Sequence, residues 1–218
     1  MTIASLLTAV NRRGCEEAIM EIGHTIKSIT TGMPVLFTGG QPGERAGAQR
    51  LTRANRDLQV GEQMMVQSAA FQESGPIPTT YSADGKQISP PLSWSAPPDG
   101  TTSIALIVED PDAPTPLPFV HWLLYNIPPH VRQLPEDVGH DKIAHSVSGA
   151  LQGLNSNMKI GWTGMAPPKG DTPHHYHFQL FALDRVLNLK PGAGRSALVE
   201  AMRGHIVGRG EVVGTYQR

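Results

Sequence analysis

Glycine and proline are the residues that most constrain the fold of this chain. Its 218 residues include 23 Gly and 19 Pro, and no internal repeat accounts for them. Glycine adds backbone freedom, and proline lacks the amide donor that a helix interior or a central strand needs. This density of breakers favours short strands joined by turns over a helical bundle. We therefore predict an all-β fold for most of the chain.

The apolar runs between these breakers predict the secondary structure. Residues 104–108 form a short, β-branched run that suits a strand buried on both faces. Residues 120–127 and 176–183 predict two further core strands, and residues 207–216 predict a last one. Residues 196–203 suit a short helix. The simplest arrangement is a two-sheet antiparallel sandwich with a short C-terminal helix.

Residues 1–57 differ from the rest of the chain. Apolar side chains recur at helical spacing between residues 3 and 26, which predicts two short amphipathic helices packed on the main domain or on a second copy. A stretch rich in glycine and proline follows and is typical of a linker. Its arginines are expected on a solvated face: Arg45, Arg50, Arg53 and Arg56. We therefore divide the chain into a helical extension with linker, residues 1–57, and a ligand-binding domain, residues 58–218.

Charge and cysteine content limit the classes of partner. A formal net charge of −1 gives no overall field that attracts nucleic acid or an anionic membrane. The lone Cys15 excludes an intrachain disulfide and a multi-thiolate metal site. The first ten residues lack the basic start of a secretion signal, and no apolar run approaches the roughly 20 residues of a membrane span. We expect a soluble, cytoplasmic protein with no nucleic-acid partner and no stable membrane insertion.

Two aspartates follow the first predicted strand. Asp110 and Asp112 are two residues apart, and Pro111 restrains Asp110 to an extended conformation. In extended backbone both carboxylates project to the same side. They can form a pair of site carboxylates, or they can cap the backbone amides of a turn that ends the strand. The sequence leaves both interpretations open.

Two imidazoles and a loop accompany the aspartates. His121 opens the second predicted strand, where it is either a core residue beside aromatic rings or a ligand-binding group. A loop rich in glycine and proline covers residues 161–173 and leads to His174 and Tyr176. Glycine lets a backbone approach a ligand closely, and proline limits the entropy lost when a loop orders. An ordinary long turn has the same composition.

Taken together, these segments resemble the phosphatidylethanolamine-binding protein family, in its bacterial branch often labelled Raf-kinase-inhibitor-like. The similarity covers roughly residues 58–218. The matching stretches are Ser89-Pro90-Pro91-Leu92-Ser93-Trp94, Asp110-Pro111-Asp112-Ala113-Pro114, Val120-His121-Trp122, Pro167-Pro168, His174-His175-Tyr176 and Gly214-Thr215-Tyr216. Each stretch alone is a weak signal, whereas their order and spacing are specific.

The resemblance implies two antiparallel sheets and a cleft that accepts phosphate and phosphate-like groups. It assigns six residues to this cleft: Asp110, Asp112, His121, Pro168, His174 and Tyr176. It also implies a homodimer, as is common among bacterial relatives, and it suggests a kinase or protease partner, for which the sequence shows no docking motif. The family's loop more often reads Gly-Tyr-Gly-Gly-Pro-Cys-Pro-Pro. Here four of those positions differ, which should change pocket width and selectivity: Trp162, Thr163, Met165 and Ala166.

Two carboxylates should repel an anionic ligand, so such a site requires protons on the histidines or on the ligand. Charged His121 or His174 can donate to phosphate oxygens, and a carboxylate can accept from a P–OH group or from an ethanolamine ammonium. Adjacent aspartates should favour charged histidine. We therefore expect phosphate-type groups, on a small molecule or a phospholipid head group, to bind without a cofactor. Monoprotonated phosphate should bind better than the fully ionised form, so phosphate affinity should weaken as pH rises.

Two other functions use the same residues. An acid–base enzyme acting on a small metabolite is the main alternative. A metal site at His174, His175 and His177 is disfavoured, because alternate residues of a strand face opposite sides.

Overall fold

Burial on both faces places the most apolar run at the centre of a large sheet. The computed structural model describes residues 44–218, which all belong to one compact unit. The helices predicted between residues 3 and 26 lie outside the described residues. The strands, in chain order, are β1 (Glu62–Gln63), β2 (Val66–Gln67), β3 (Gly75–Pro76), β4 (Leu92–Trp94), β5 (Ser103–Asp110), β6 (Phe119–Ile127), β7 (Gln133–Leu134), β8 (Ile143–Ala144), β9 (Ala150–Gln152), β10 (His174–Leu183) and β11 (Ile206–Tyr216). The α-helix of this part of the chain, α1, spans Arg195–Met202, and short 3₁₀ turns span Ala48–Arg50, Thr52–Ala54, Arg56–Leu58, Thr79–Tyr81 and His145–Val147.

The strands form two sheets, as the sequence predicts. The larger sheet has the order β1-β11-β10-β5-β6-β9-β8, and the smaller has the order β2-β4-β7. Neighbouring strands pair antiparallel, except that β1 and β3 each pair parallel with β11. The predicted core strands are confirmed and extend beyond their expected bounds by one or two residues. These extra residues matter for the site, because they carry Asp110 and His174 at the ends of β5 and β10.

Apolar side chains pack on both faces of the larger sheet. One cluster fills the space between the two sheets and includes Val66, Leu92, Trp94, Leu106, Trp122, Phe178 and Leu180. A second cluster lies on the other face, where α1 covers it with Leu198, Val199 and Met202. Every residue of β5 is buried. Two-sided burial explains why this strand reads as a continuous apolar run instead of an alternating one.

The segment before the domain differs from the predicted linker. Residues 48–58 form three consecutive 3₁₀ turns instead of an extended connection, and within them Leu51 and Leu58 are only 2% and 0% exposed. The arginines of this segment are exposed, as expected for a solvated face, and Arg53 also pairs with Glu211 at 2.8 Å. The linker prediction weighed the glycines and arginines of this stretch, whereas burial of its two leucines decides the conformation. No helix in residues 44–218 has the length and apolar character needed to cross a membrane.

Candidate functional site

Three adjacent strands of the larger sheet bring Asp110, His121 and His174 together. Strand β5 lies between β10 and β6. Asp110 is the last residue of β5, His174 is the first of β10, and His121 lies near the start of β6. Because the neighbours are antiparallel, the end of β5 meets the beginnings of both flanking strands. Residues far apart in sequence therefore share one edge of the sheet.

A β-bulge aims the His121 side chain. Val108 pairs with Trp122, but the next residue, Glu109, pairs with Val120, so His121 is an extra residue in β6. A bulge leaves one residue unpaired and changes the direction of its side chain. The rings of His121 and Trp122 both approach Trp162, with centroid distances of 5.7 and 6.3 Å. Simple alternation along a strand places these two neighbours on opposite faces.

The Asp110 carboxylate serves the site and the turn at once. Its Oδ2 accepts from His174 Nδ1 at 2.8 Å. Its Oδ1 accepts from the backbone amides of Asp112 and Ala113 at 2.8 and 3.1 Å. The turn-capping interpretation is therefore confirmed for this residue, and the same carboxylate also lines the cavity described below. One carboxylate joins the imidazole to the loop that follows β5.

His174 lies between two carboxylates. Its Nδ1 faces Asp110, and its Nε2 is 3.3 Å from Asp171 Oδ2. Burial lowers the pKa of His174, but the hydrogen bonds and charges of Asp110 and Asp171 outweigh burial and raise it above the usual histidine value. The ring therefore keeps its charge to a higher pH than an ordinary histidine, and in the charged form it directs an N–H at each carboxylate.

His121 has the opposite charge preference. Burial lowers its pKa, and the nearby Asp110 carboxylate opposes this shift without overcoming it. The expectation that adjacent aspartates keep both histidines charged is therefore wrong for His121. Its Nδ1 lies 2.7 Å from the Thr163 carbonyl, and because a carbonyl only accepts, Nδ1 carries the hydrogen. In the neutral ring Nε2 is then a hydrogen-bond acceptor.

The loop over residues 161–168 forms the wall beside His121. Thr163 N donates to the His121 carbonyl at 2.9 Å, so backbone and ring both tie this loop to β6. A Cβ added at Gly164 would lie 2.6 Å from Ala83 N, which explains why this position has no side chain. Trp162 stacks on Phe178 at 6.1 Å and replaces the family's tyrosine with a larger buried ring.

These groups surround a cavity of about 320 Å³. Its lining combines a polar floor with walls of proline, alanine and phenylalanine: Asp110, Ala113, Pro114, Thr115, Phe119, His121, Asn157, Gly164, Ala166, Pro167, Pro168 and His174. Four of the six residues assigned by resemblance are in this lining. Of the residues that sequence reasoning missed, Phe119 could have been found as the second residue before His121, whereas no local pattern marks Asn157.

Asp112 and Tyr176 lie next to the cavity without lining it. Asp112 Oδ2 accepts from the amide and the ring Nδ1 of His175 at 2.9 and 2.8 Å. Burial favours a higher pKa for Asp112, but these hydrogen bonds hold its pKa below the usual value. The Tyr176 ring packs edge-on against His121 at 5.1 Å, and its buried hydroxyl has no hydrogen-bond partner in the described residues. Burial and the nearby Asp110 and Asp112 charges raise the pKa of this hydroxyl.

The histidines of β10 face different directions. The His174 side chain is 1% exposed and the His175 side chain is 52% exposed, in agreement with strand alternation. Within residues 44–218, no cluster of three or more His, Cys, Asp or Glu side chains has an arrangement that could hold a metal ion.

Comparison with known proteins identifies the family. The model of the phosphatidylethanolamine-binding protein family matches residues 67–217. The chain belongs to this family. A UPF0098 protein of Methanothermobacter thermautotrophicus is 43% identical over 155 residues, which cover 71% of this chain and 99% of the relative.

Two solved structures share the fold of this phosphatidylethanolamine-binding protein family member. A putative phosphatidylethanolamine-binding protein homologue from Chlamydia trachomatis is 40% identical and superposes with a TM-score of 0.64, covering 72% of this chain and 99% of the other. YbcL of Escherichia coli is 31% identical with a TM-score of 0.66, covering 71% and 98%. In both cases nearly the whole length of the relative is matched by about seven-tenths of this chain.

Proposed function

We propose that the cavity at Asp110, His121 and His174 binds a small ligand through a phosphate-type group. The observation that carries the proposal is the presence of two imidazoles with opposite charge preferences in one cavity. Charged His174 offers a donor to an anionic oxygen, and neutral His121 offers an acceptor to a hydroxyl. A monoprotonated phosphate group carries an anionic oxygen for His174 and a hydroxyl for His121 on the same phosphorus atom.

The protonation state of the ligand should therefore govern affinity. A phosphate monoester loses its second proton with a pKa of about 6, and the dianion has no O–H for His121 to accept. The Asp110 carboxylate also repels the additional charge. A phosphodiester lipid head group lacks the P–OH, but the ammonium of ethanolamine supplies a donor in its place. The apolar walls at Phe119 and Pro168 leave room for the organic part of such a ligand.

Calorimetric titration with inorganic phosphate at pH 6 and pH 8 tests the proposal. Phosphate should bind more weakly at pH 8, and sulfate, a dianion without an O–H, should bind more weakly than phosphate at pH 6. His174→Gln should reduce phosphate affinity by about tenfold or more, because a charged hydrogen bond is lost. Tighter binding at pH 8, or sulfate and phosphate affinities that match, would contradict it. Competition by phosphoethanolamine and by vesicles that contain phosphatidylethanolamine separates a soluble ligand from a lipid.

An acid–base enzyme is the second candidate function. The same opposed pKa shifts of His121 and His174 suit a general base and a general acid that act on one substrate. Turnover of a small phosphorylated or carbonyl metabolite that disappears in both His121→Gln and His174→Gln would support this candidate. Homodimer formation, a cytoplasmic location and a kinase or protease partner stay predictions from the family resemblance.

A further inference from the structure

The segment ahead of the family domain braces one wall of the cavity. The family match begins at residue 67, yet three earlier residues bond to the loop over residues 111–116. Gly47 N donates to the Pro111 carbonyl at 3.0 Å. The side chains of Arg45 and Arg50 donate to the carbonyls of Asp112 and Pro116 at 2.6 and 3.1 Å. The segment therefore contacts the loop that supplies Ala113, Pro114 and Thr115 to the lining.

Arg45 is the residue of this segment that reaches the charged floor. Its Nη2 is 2.5 Å from Asp171 Oδ2, and its Nη1 is 3.4 Å from His174 Nε2. The same Asp171 oxygen is 3.3 Å from His174 Nε2. A single carboxylate oxygen thus lies between a guanidinium and an imidazolium.

Asp171 occupies the position that suits an external anion. Both N–H groups of His174 already face carboxylates, and Asp110 is 3% exposed and fixed by two loop amides. The Asp171 side chain is 21% exposed and lies in the loop between β9 and β10. Release of this carboxylate into water costs less than release of Asp110, because water can replace its partners.

We propose that Arg45 is a further ligand-recognition residue of this pocket, and that Asp171 holds the place of the ligand's anionic group between Arg45 and His174. The incoming group displaces the Asp171 side chain and takes the donors of both cations. Nη1 of Arg45 is held by the Asp112 carbonyl, so that Nη2 is directed at the anion position as a charged donor, and charged N–H donors of this kind are what arginine uses to recognise phosphate and carboxylate groups. The proposal rests on the proposed function, since it concerns the same ligand.

Substitution of Asp171 and of Arg45 separates competition by the Asp171 carboxylate from recognition of the ligand by Arg45. Asp171→Asn should bind inorganic phosphate more tightly than the wild type, by about tenfold, because the competing charge is gone. Arg45→Gln should bind it about tenfold more weakly, because a charged hydrogen bond is lost. In the double variant the Arg45 substitution should still weaken binding relative to Asp171→Asn alone. Calorimetry at pH 6 and low salt, with circular dichroism to confirm folding, gives these affinities.

Arg50 provides the matched control. It carries the same charge on the same segment and braces the same loop through Pro116, but it has no ion-pair partner in the described residues. Arg50→Gln should change phosphate affinity less than about twofold. Equal losses in the two arginine variants would assign Arg45 a bracing role and overturn the proposal.

The other outcomes also decide between roles. Tighter phosphate binding by Arg45→Gln would mean that Arg45 only holds Asp171 in position. Unchanged phosphate binding by Asp171→Asn would refute the idea that Asp171 occupies the place of the ligand's anionic group. Either result with intact wild-type binding overturns this inference alone. If neither the wild type nor Asp171→Asn binds phosphate, the proposed function fails and the inference fails with it.

Discussion

Replacement of Glu109 by Gln should destabilise the protein strongly, although the two side chains have almost the same shape. Glu109 is 0% exposed, and its carboxylate accepts four hydrogen bonds. Its Oε2 accepts from Thr52 N at 2.7 Å and Gln179 Nε2 at 2.8 Å. Its Oε1 accepts from Thr52 Oγ1 at 3.1 Å and from Arg195 Nε. A carboxamide places an NH₂ group against two donors whichever way it is turned.

The magnitude follows from the number of acceptors lost. Each hydrogen bond to a charged group contributes about 1.5–3 kcal/mol, and the Thr52 hydroxyl can rotate to accept from the new NH₂ group. Arg195 also loses its counter-charge, although its side chain is 24% exposed and water partly replaces it. We expect Glu109→Gln to lower the free energy of unfolding by about 2–4 kcal/mol. For a protein of this size the melting temperature should fall by about 4–16 °C.

Urea unfolding and scanning calorimetry measure this loss against an exposed ion pair of the same region. Arg203 and Asp57 pair at 3.0 Å with side chains 44% and 59% exposed, so Arg203→Gln should cost less than about 1 kcal/mol. The double variant Thr52→Val, Glu109→Gln should lose less than the sum of its single variants, because the two side chains share a bond. A Glu109→Gln variant as stable as Arg203→Gln would refute the reasoning.

Three further predictions concern residues around the cavity. In an NMR titration of histidine side chains, His174 should stay charged above the usual pKa of about 6.5 and His121 should stay neutral below it. The stability that charged His174 contributes is thus present below about pH 6.5 and is lost as pH rises through its raised pKa. Burial of neutral His121, in contrast, costs stability as pH falls below about 6.5. If both histidines titrated at about pH 6.5, both expectations would be contradicted. Gly164→Ala should lower the free energy of unfolding by about 1–3 kcal/mol, because the new methyl meets the backbone of residues 82–83, and an unchanged urea midpoint would show that this contact relaxes. Tyr176→Phe should leave stability within about 1 kcal/mol of the wild type, because the buried hydroxyl has no hydrogen-bond partner among residues 44–218. A larger loss would indicate a hydrogen bond outside these contacts.

The sequence predicted the sheet well because a strand that is buried on both faces consists of consecutive apolar residues. The run at residues 104–108 belongs to β5, and the alternation at residues 176–183 divides between the two core clusters as expected. Asp110 and His174 could be proposed as neighbours because the family motif includes both. Turn composition is less specific. The glycines and arginines near Leu51 and Leu58 predicted a linker, whereas the chain forms turns there and buries both leucines.

The local geometry of the site could not be predicted from residue spacing. Asp112 was expected beside Asp110 because extended backbone repeats every two residues. However, Asp110 Oδ1 bends the chain by accepting from the amides of Asp112 and Ala113, and Asp112 then meets His175. The neutral state of His121 likewise depends on a bulge and on burial, and neither has a local signal in the sequence.

The two oxygens of Asp110 allow the protonation state of His174 to be followed from the edge of the cavity. One oxygen holds the His174 ring, and the other receives the amides of Asp112 and Ala113. A proton gained or lost at the imidazole redistributes electron density over the carboxylate, and both amide hydrogens sense it through the opposite oxygen. Their chemical shifts form a native reporter of the buried ring that needs no attached probe. The same linkage couples the wall of the cavity to its floor, because a substitution that shifts these amides also moves the carboxylate that faces the His174 ring.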